Sequence, residues 1–122
     1  MHQTTASQWD GLTISQDLPI GIFYAGSRHK RFTLRVGVAG DLIAAQELHP
    51  EGPLQLVTLE VYRRQLLTVG QIPTDALTTA LLREGLTETD LAAIAAADEA
   101  LEKKLMPQNA ASSSGDESNT SS

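Results

Sequence analysis

Two extended segments are predicted in residues 18–38, LPIGIFYAGSRHKRFTLRVGV. Apolar side chains occupy every second position on both sides of a polar break at residues 26–30, and such alternation places them on one face of a strand. Two such runs across a short glycine-containing loop predict an antiparallel β-hairpin. A lone hairpin is barely stable in water, so this face must pack on another part of the chain. The face consists of Leu18, Ile20, Ile22, Tyr24, Phe32, Leu34, Val36 and Val38.

Helical spacing of apolar residues replaces the alternation from Asp41 onward. A first helix is predicted from Asp41, which suits a helix N-terminus, to Leu48, before the two prolines of residues 49–53 end it. A second helix is predicted from about residue 54 or 58 to Thr68, with Gly70 as its stop. A short third helix is predicted from a Thr74 cap to Gly85.

The fourth helix has the clearest start signal. Thr87 is a suitable N-cap, with Asp90 three residues later as its capping-box partner, and Leu86 and Leu91 have the spacing of a hydrophobic staple. The expected buried side is Leu91, Ile94, Ala95, Leu101 and Leu105, with the charged residues 98, 99 and 102–104 toward water. The chain is therefore predicted to be an α+β domain, an N-terminal antiparallel β-hairpin packed against about four α-helices.

The chain ends differ in composition from the part between them. Residues 1–12 are polar without periodicity and are predicted to be a flexible arm, and residues 13–106 form the predicted folded domain. Residues 107–122 are rich in Ser with acidic residues and lack an apolar pattern, so they are predicted to be a disordered tail. A domain of this size is marginally stable alone, so a partner or self-association is expected to stabilise it.

The net charge and the composition disfavour several classes of protein function. The net charge is −6, which disfavours a nucleic-acid partner because phosphate backbones require a basic surface. The chain has no cysteine and no apolar run long enough to cross a bilayer, and residues 1–8 lack the charged start and apolar stretch that a secretory signal is expected to have. We therefore expect a protein of the bacterial cytoplasm with neither membrane nor nucleic acid as its partner.

Catalytic signatures are weak throughout. His2, His29 and His49 lack the spacing of metal ligands, and no nucleophile elbow surrounds any serine. The glycines of residues 37–41 lack a phosphate-binding fingerprint and are interpreted as a strand-to-helix turn. The carboxylate pairs Glu88/Asp90 and Asp98/Glu99 are interpreted as solvated. We expect no enzyme, no cofactor and no metal.

Two clusters of basic residues could either bind a partner or have no binding role. Residues 28–31, Arg-His-Lys-Arg, with Arg35 along the same strand, suit an acidic partner, the acidic helix of this chain or a solvated turn. Arg63 and Arg64 follow Tyr62 on the second helix, where they either cover the core with their stems or border a binding face.

Several runs resemble one family. The runs are RFTLR at residues 31–35 with GDLIAA at 40–45, LEVYRRQLL at 59–67 leading to GQIP at 70–73, and LTETDL at 86–91 entering an Ala-rich last helix. In this order they are similar to the tail assembly chaperones of long-tailed phages and Mu-like prophages, over roughly residues 18–105.

The resemblance implies a protein–protein interaction role in virion assembly. Such a chaperone binds the tape measure protein, keeps it soluble and helps recruit tail tube subunits, and it is absent from the mature virion. It would act in the cytoplasm of the bacterial host, without catalysis. The residues predicted to contact the client are Tyr62, Arg63, Leu66, Leu91, Ile94 and Leu101. The alternative is a small structural completion protein of the virion.

Overall fold

The computed structural model of the chain describes residues 11–105. Strand β1 is Thr13–Tyr24 and β2 is Ser27–Arg35, followed by helices α1, Ala39–Leu48, and α2, Leu54–Gln65. Strand β3, Leu66–Val69, and a 3₁₀ turn, Thr74–Ala76, precede α3, Thr79–Gly85, and α4, Glu88–Leu105. The predicted α+β class, hairpin and four helices, is confirmed. Most of the predicted arm and the whole predicted tail lie outside the described residues.

The sheet is antiparallel with the order β1-β2-β3, so β2 is its central strand. The third strand was not predicted, because the second helix was expected to continue to Thr68. Instead α2 ends at Gln65, and Leu66–Val69 pairs with β2, Phe32 opposite Val69 and Thr33 opposite Thr68. Thr68 and Val69 are β-branched, and β2 lies beside them as a pairing partner. Pairing as a strand is therefore more favourable for this segment than one more turn of α2.

The hairpin turn is shorter than the predicted break. It consists of Ala25 and Gly26, both with positive φ (+52° and +87°), as a type I′ turn requires. Strand β2 therefore starts at Ser27, and the basic residues 28–31 belong to the central strand instead of a loop. The right-handed twist of a two-residue I′ turn matches that of the strands, which extends the pairing to the turn.

The predicted alternation along β1 is wrong at Ile20, which is 38% exposed, while Leu18 and Ile22 are buried. The register of β1 against β2 shifts between Asp17 and Ile22, where Gly21 adopts φ +95°. A Cβ at Gly21 would lie 2.9 Å from Lys30 Cγ, so this bulge requires glycine.

The helices also differ from prediction in where they begin and in which side of α4 is buried, and α1 starts at Ala39, two residues before Asp41. Thr74 starts the 3₁₀ turn, and α3 begins after Thr78, whose hydroxyl accepts the Leu81 N–H at 3.1 Å. On α4 the buried stripe is Asp90, Ile94, Ala97 and Leu101, whereas Ala95 and Leu105, both expected inside, are exposed.

The core lies between the sheet and the helices. Phe32 and Leu34 of β2 and Leu18 and Ile22 of β1 are buried in it together with Ile94 of α4. The other members of this cluster come from α2, β3, the following loop, α3 and α4, and they are Leu59, Leu66, Val69, Ile72, Leu77, Leu82 and Ala97. Leu101 of α4 is also fully buried. None of the helices in the described part of the chain is long and apolar enough to cross a membrane.

Candidate functional site

A groove of about 320 Å³ opens between α2, α3 and the start of α4, and we call it the helical groove. Leu59 and Leu82 form its buried floor, while the half-buried Leu56, Leu86 and Leu91 form its walls. Pro53, Gln55 and Arg83 complete the lining. The surface is thus almost wholly aliphatic, with one amide and one guanidinium, which suits an apolar partner with few polar contacts.

Spacing along the chain explains how the groove forms. Leu56 and Leu59 are three residues apart and therefore share one face of α2. Leu86 and Leu91 flank the start of α4, as the predicted staple requires, and both pack against the core from its edge. The two leucines of the predicted staple therefore also line the groove. Leu56, Leu59 and Leu82 were not predicted as site residues, although the spacing of Leu56 and Leu59 was a usable signal.

Exposed apolar side chains also lie on more than one side of α1 and at the start of α2, and we call these residues together the apolar row. Its most exposed member is Leu54, at 75%. Within α1 only Asp41 and Ala45 are buried, although a helix that is apolar nearly all round is normally enclosed. The exposed side chains of the row are Val38, Leu42, Ile43, Leu48 and Leu54.

Asp41 ties β2, α1 and α2 together. Its buried carboxylate accepts both terminal nitrogens of Arg35 (2.8 and 3.0 Å), Arg64 Nε (3.1 Å) and the Val38 N–H (2.9 Å). Burial raises the pKa of the Asp41 carboxyl, but the bonds from Arg35, Val38 and Arg64 outweigh this and hold the pKa below its usual 3.8. The predicted helix-opening role of Asp41 thus extends to a buried ion-pair cluster.

Glu60 forms a second cluster, which the sequence analysis missed. Its buried carboxylate accepts Arg63 Nε at 2.8 Å and the Thr79 hydroxyl, and it lies 3.6 Å from His49 Nε2. It thereby links the end of α1, α2 and the start of α3. Burial raises the pKa of the Glu60 carboxyl, but the Arg63 and Thr79 hydrogen bonds prevail and lower it from its usual 4.5. The Glu60–Arg63 spacing of three was the available signal.

Asp90 has a role that the sequence predicted only in part. Its N–H donates to Thr87 Oγ1 at 3.1 Å, as the predicted cap requires. Its carboxylate, however, accepts the N–H groups of Ile20 (2.8 Å) and Gly21 (2.9 Å) in the β1 bulge instead of completing a capping box. Asp90 is fully buried, so the predicted solvated Glu88/Asp90 pair is wrong for this member. It fixes the start of α4, and with it Leu91, against the hairpin.

Other polar residues have mainly local partners. Asp98, also expected to be solvated, is half-buried and accepts Gln65 Nε2 at 2.9 Å. His29 Nδ1 accepts the Gln71 N–H at 3.1 Å, so Nε2 carries the proton and donates to the Tyr24 carbonyl at 3.1 Å. This makes His29 a connector between β2 and the loop after β3.

The six predicted client-contact residues lie in different environments. Ile94 and Leu101 are fully buried in the core, whereas Leu66 is buried but lines, together with Arg63, a cleft of about 290 Å³. Leu91 lines the helical groove. Arg63 is engaged by Glu60, and Tyr62 is half-buried near α4. Burial, and secondarily the Asp98 and Glu102 carboxylates, raises the pKa of the Tyr62 hydroxyl.

No group of three or more His, Asp or Glu side chains among residues 11–105 has an arrangement that would hold a metal ion. Comparison of the chain with protein-family models, with curated proteins and with solved structures gave no match. The described residues offer apolar surface in the helical groove and the apolar row, and buried carboxylates join the surrounding elements.

Proposed function

We propose that this protein is a phage tail assembly chaperone that binds the tape measure protein, keeps it soluble and helps recruit tail tube subunits. The observation that carries the proposal is the helical groove, an aliphatic cleft at the surface of a small acidic domain. The identity of the client and its place in tail assembly rest on the sequence resemblance.

The chemistry of the groove favours an amphipathic helix as its occupant. Such a helix presents apolar side chains three and four residues apart, which suits a cleft walled by Leu56, Leu86 and Leu91. Arg83 on the rim suits a carboxylate on the polar side of that helix. A long, coiled-coil-rich client offers many such segments.

The expected affinity of one groove is low. Burying one leucine-sized side chain contributes about 1.5–3 kcal/mol. Two such anchors contribute about 3–6 kcal/mol, which is comparable to the lower end of the ~4–15 kcal/mol cost of association. Tight capture therefore needs further contacts, for which the apolar row is suited, or several copies on one client. Weak individual contacts suit a chaperone, because they allow release when the tail assembles.

The test is co-expression with the longest coiled-coil-rich protein encoded nearby, followed by affinity pull-down and a comparison of soluble yield. The wild-type chain should raise the soluble yield of the client and co-purify with it. Leu56→Glu places a charge in the groove wall and should abolish both effects. Leu67→Glu makes the same change at an exposed position of β3 outside the groove, and it should leave both intact.

Two results would count against the proposal. If the wild-type chain neither solubilises nor retains the client, the chaperone role is wrong. If mass spectrometry of purified particles finds the chain at a fixed copy number, the alternative of a structural completion protein replaces it. Circular dichroism of both variants establishes that a lost interaction is not a lost fold.

A further inference from the structure

Charge is unevenly distributed between the hairpin and the helices. Residues 13–35 contain four basic residues and one acidic residue, whereas residues 36–105 contain five basic and eleven acidic ones. The hairpin is therefore the basic part of an otherwise acidic domain. Arg35 and Arg31 are engaged with Asp41 and Asp17, respectively. The excess positive charge of the hairpin thus lies toward its turn.

An aromatic side chain lies beside that charge. Phe23 is 58% exposed, although the chain contains only two phenylalanines and the other, Phe32, is fully buried. Phe23 is paired with Arg28 across the hairpin, and the Arg28 guanidinium lies 5.7 Å from the centre of the Phe23 ring. Lys30, two residues further along β2, shares the face of Arg28. We call Phe23, Arg28 and Lys30 the hairpin patch.

The hairpin patch is held in place before any partner binds. Arg28 Nη1 donates to the Gly21 carbonyl at 3.0 Å, which fixes the guanidinium over the ring. The Ala25–Gly26 turn and the strand pairing on both sides of it restrict the backbone. Side chains that are already ordered lose less entropy on binding, so this arrangement favours recognition.

The charges of the hairpin patch have no counter-ion among the described residues. Within residues 11–105 neither Arg28 nor Lys30 forms an ion pair, while Asp17 is engaged with Arg31 at 3.5 Å. An exposed aromatic ring with two uncompensated cations is complementary to a segment that combines carboxylates with an apolar side chain.

We infer that the hairpin patch is a docking surface for an acidic segment of a protein partner. An apolar side chain of that segment contacts Phe23, and its carboxylates face Arg28 and Lys30. A duplex nucleic acid fits less well, because its long polyphosphate would also face the acidic helical body. The surface is separate from the helical groove and does not depend on the chaperone proposal.

The experiment measures fluorescence anisotropy of a labelled peptide in which Glu and Asp alternate with Leu, titrated with the full chain. Binding should weaken severalfold from about 50 to about 300 mM NaCl, since screening shortens the reach of surface charges. Arg28→Gln and Phe23→Ala should each weaken it about three- to tenfold, as expected for a stacked cation at an exposed site. Lys104→Gln removes an exposed charge of α4 and should change it less than twofold.

Arg28→Lys separates charge from stacking. It retains the charge without the planar guanidinium, and its affinity should lie between those of the wild type and Arg28→Gln. Equal affinity of the peptide for wild type, Arg28→Gln and Phe23→Ala would overturn the inference. So would tighter binding of a DNA duplex than of the peptide, or a self-association in sedimentation that Arg28→Gln removes, since the surface would then belong to nucleic acid or to a second copy.

Discussion

Replacing Asp90 with alanine should destabilise the domain far more than its position on a helical first turn suggests. The Asp90 carboxylate accepts the N–H groups of Ile20 and Gly21 at 2.8 and 2.9 Å, and Asp90 itself is fully buried. A hydrogen bond to a charged group contributes about 1.5–3 kcal/mol. Gly21 is buried and its N–H would lose its partner, whereas Ile20 is 38% exposed and its N–H regains water more easily.

Asp90→Ala should therefore lower the free energy of unfolding by about 2–4 kcal/mol. The bond from the Gly21 N–H is lost in full, whereas water partly replaces the bond from the Ile20 N–H. That is a large share of the ~5–15 kcal/mol that holds a domain of ordinary stability. Asp90→Asn retains one acceptor oxygen and places an NH₂ group opposite the second N–H, so its loss should be substantial as well. Urea unfolding followed by circular dichroism at the helix band measures both variants.

Thr89→Ala is the matched control, because Thr89 is exposed on the same turn and should change stability by about 0.5 kcal/mol or less. If Asp90→Ala stays within the range of this control, the contact between α4 and the β1 bulge does not stabilise the fold. An unchanged m-value is part of the expectation, because the loss is assigned to the native state and not to the compactness of the unfolded chain.

Two further predictions concern other buried side chains. The lowered pKa of Glu60 means that its ionised form stabilises the domain above pH 4.5, its usual value, and that this contribution is lost as the pH falls through the folded pKa. The stability gap between wild type and Glu60→Gln, measured by thermal unfolding, should therefore narrow from pH 6 toward pH 3; a gap independent of pH contradicts the assignment. Leu101→Ala should cost about 2–5 kcal/mol because Leu101 is fully buried. Leu105→Ala, one turn later and 43% exposed, should cost less than about 0.5 kcal/mol in the same urea assay.

Local signals in the sequence predicted much of the fold. The alternation around residues 18–38 led to the hairpin, and the Thr87 cap with its flanking leucines led to the start of α4. Both depend on residues within a few positions of each other. The boundaries at Ser27, Gln65 and Thr79 were missed, because they depend on turn geometry and on strand pairing across the chain.

The groove and the buried carboxylates depend on distant residues, and the sequence therefore located them only partly. Asp90 and Gly21 are 69 positions apart, and no local pattern connects a helix cap with a strand bulge. The same applies to Arg35 and Arg64, which meet at Asp41 from two different elements. Ile94 and Leu101 were predicted as both core and contact residues, and only the packing assigns them to the core.

The described part of the chain combines three buried carboxylates, Asp41, Glu60 and Asp90, with several exposed apolar side chains. Enclosing the five side chains of the apolar row would contribute about 1.5–3 kcal/mol each, a sum on the order of the whole stability of a small domain. Buried ion pairs add little net stability, but breaking one costs about 3–5 kcal/mol, so they fix orientation strongly. Asp41 joins β2 to α1, Glu60 joins α2 to Thr79 of α3, and Asp90 joins α4 to β1. Breaking any of the three contacts is therefore expected to alter how the helices around the groove sit against one another, and with it the leucines that line the groove.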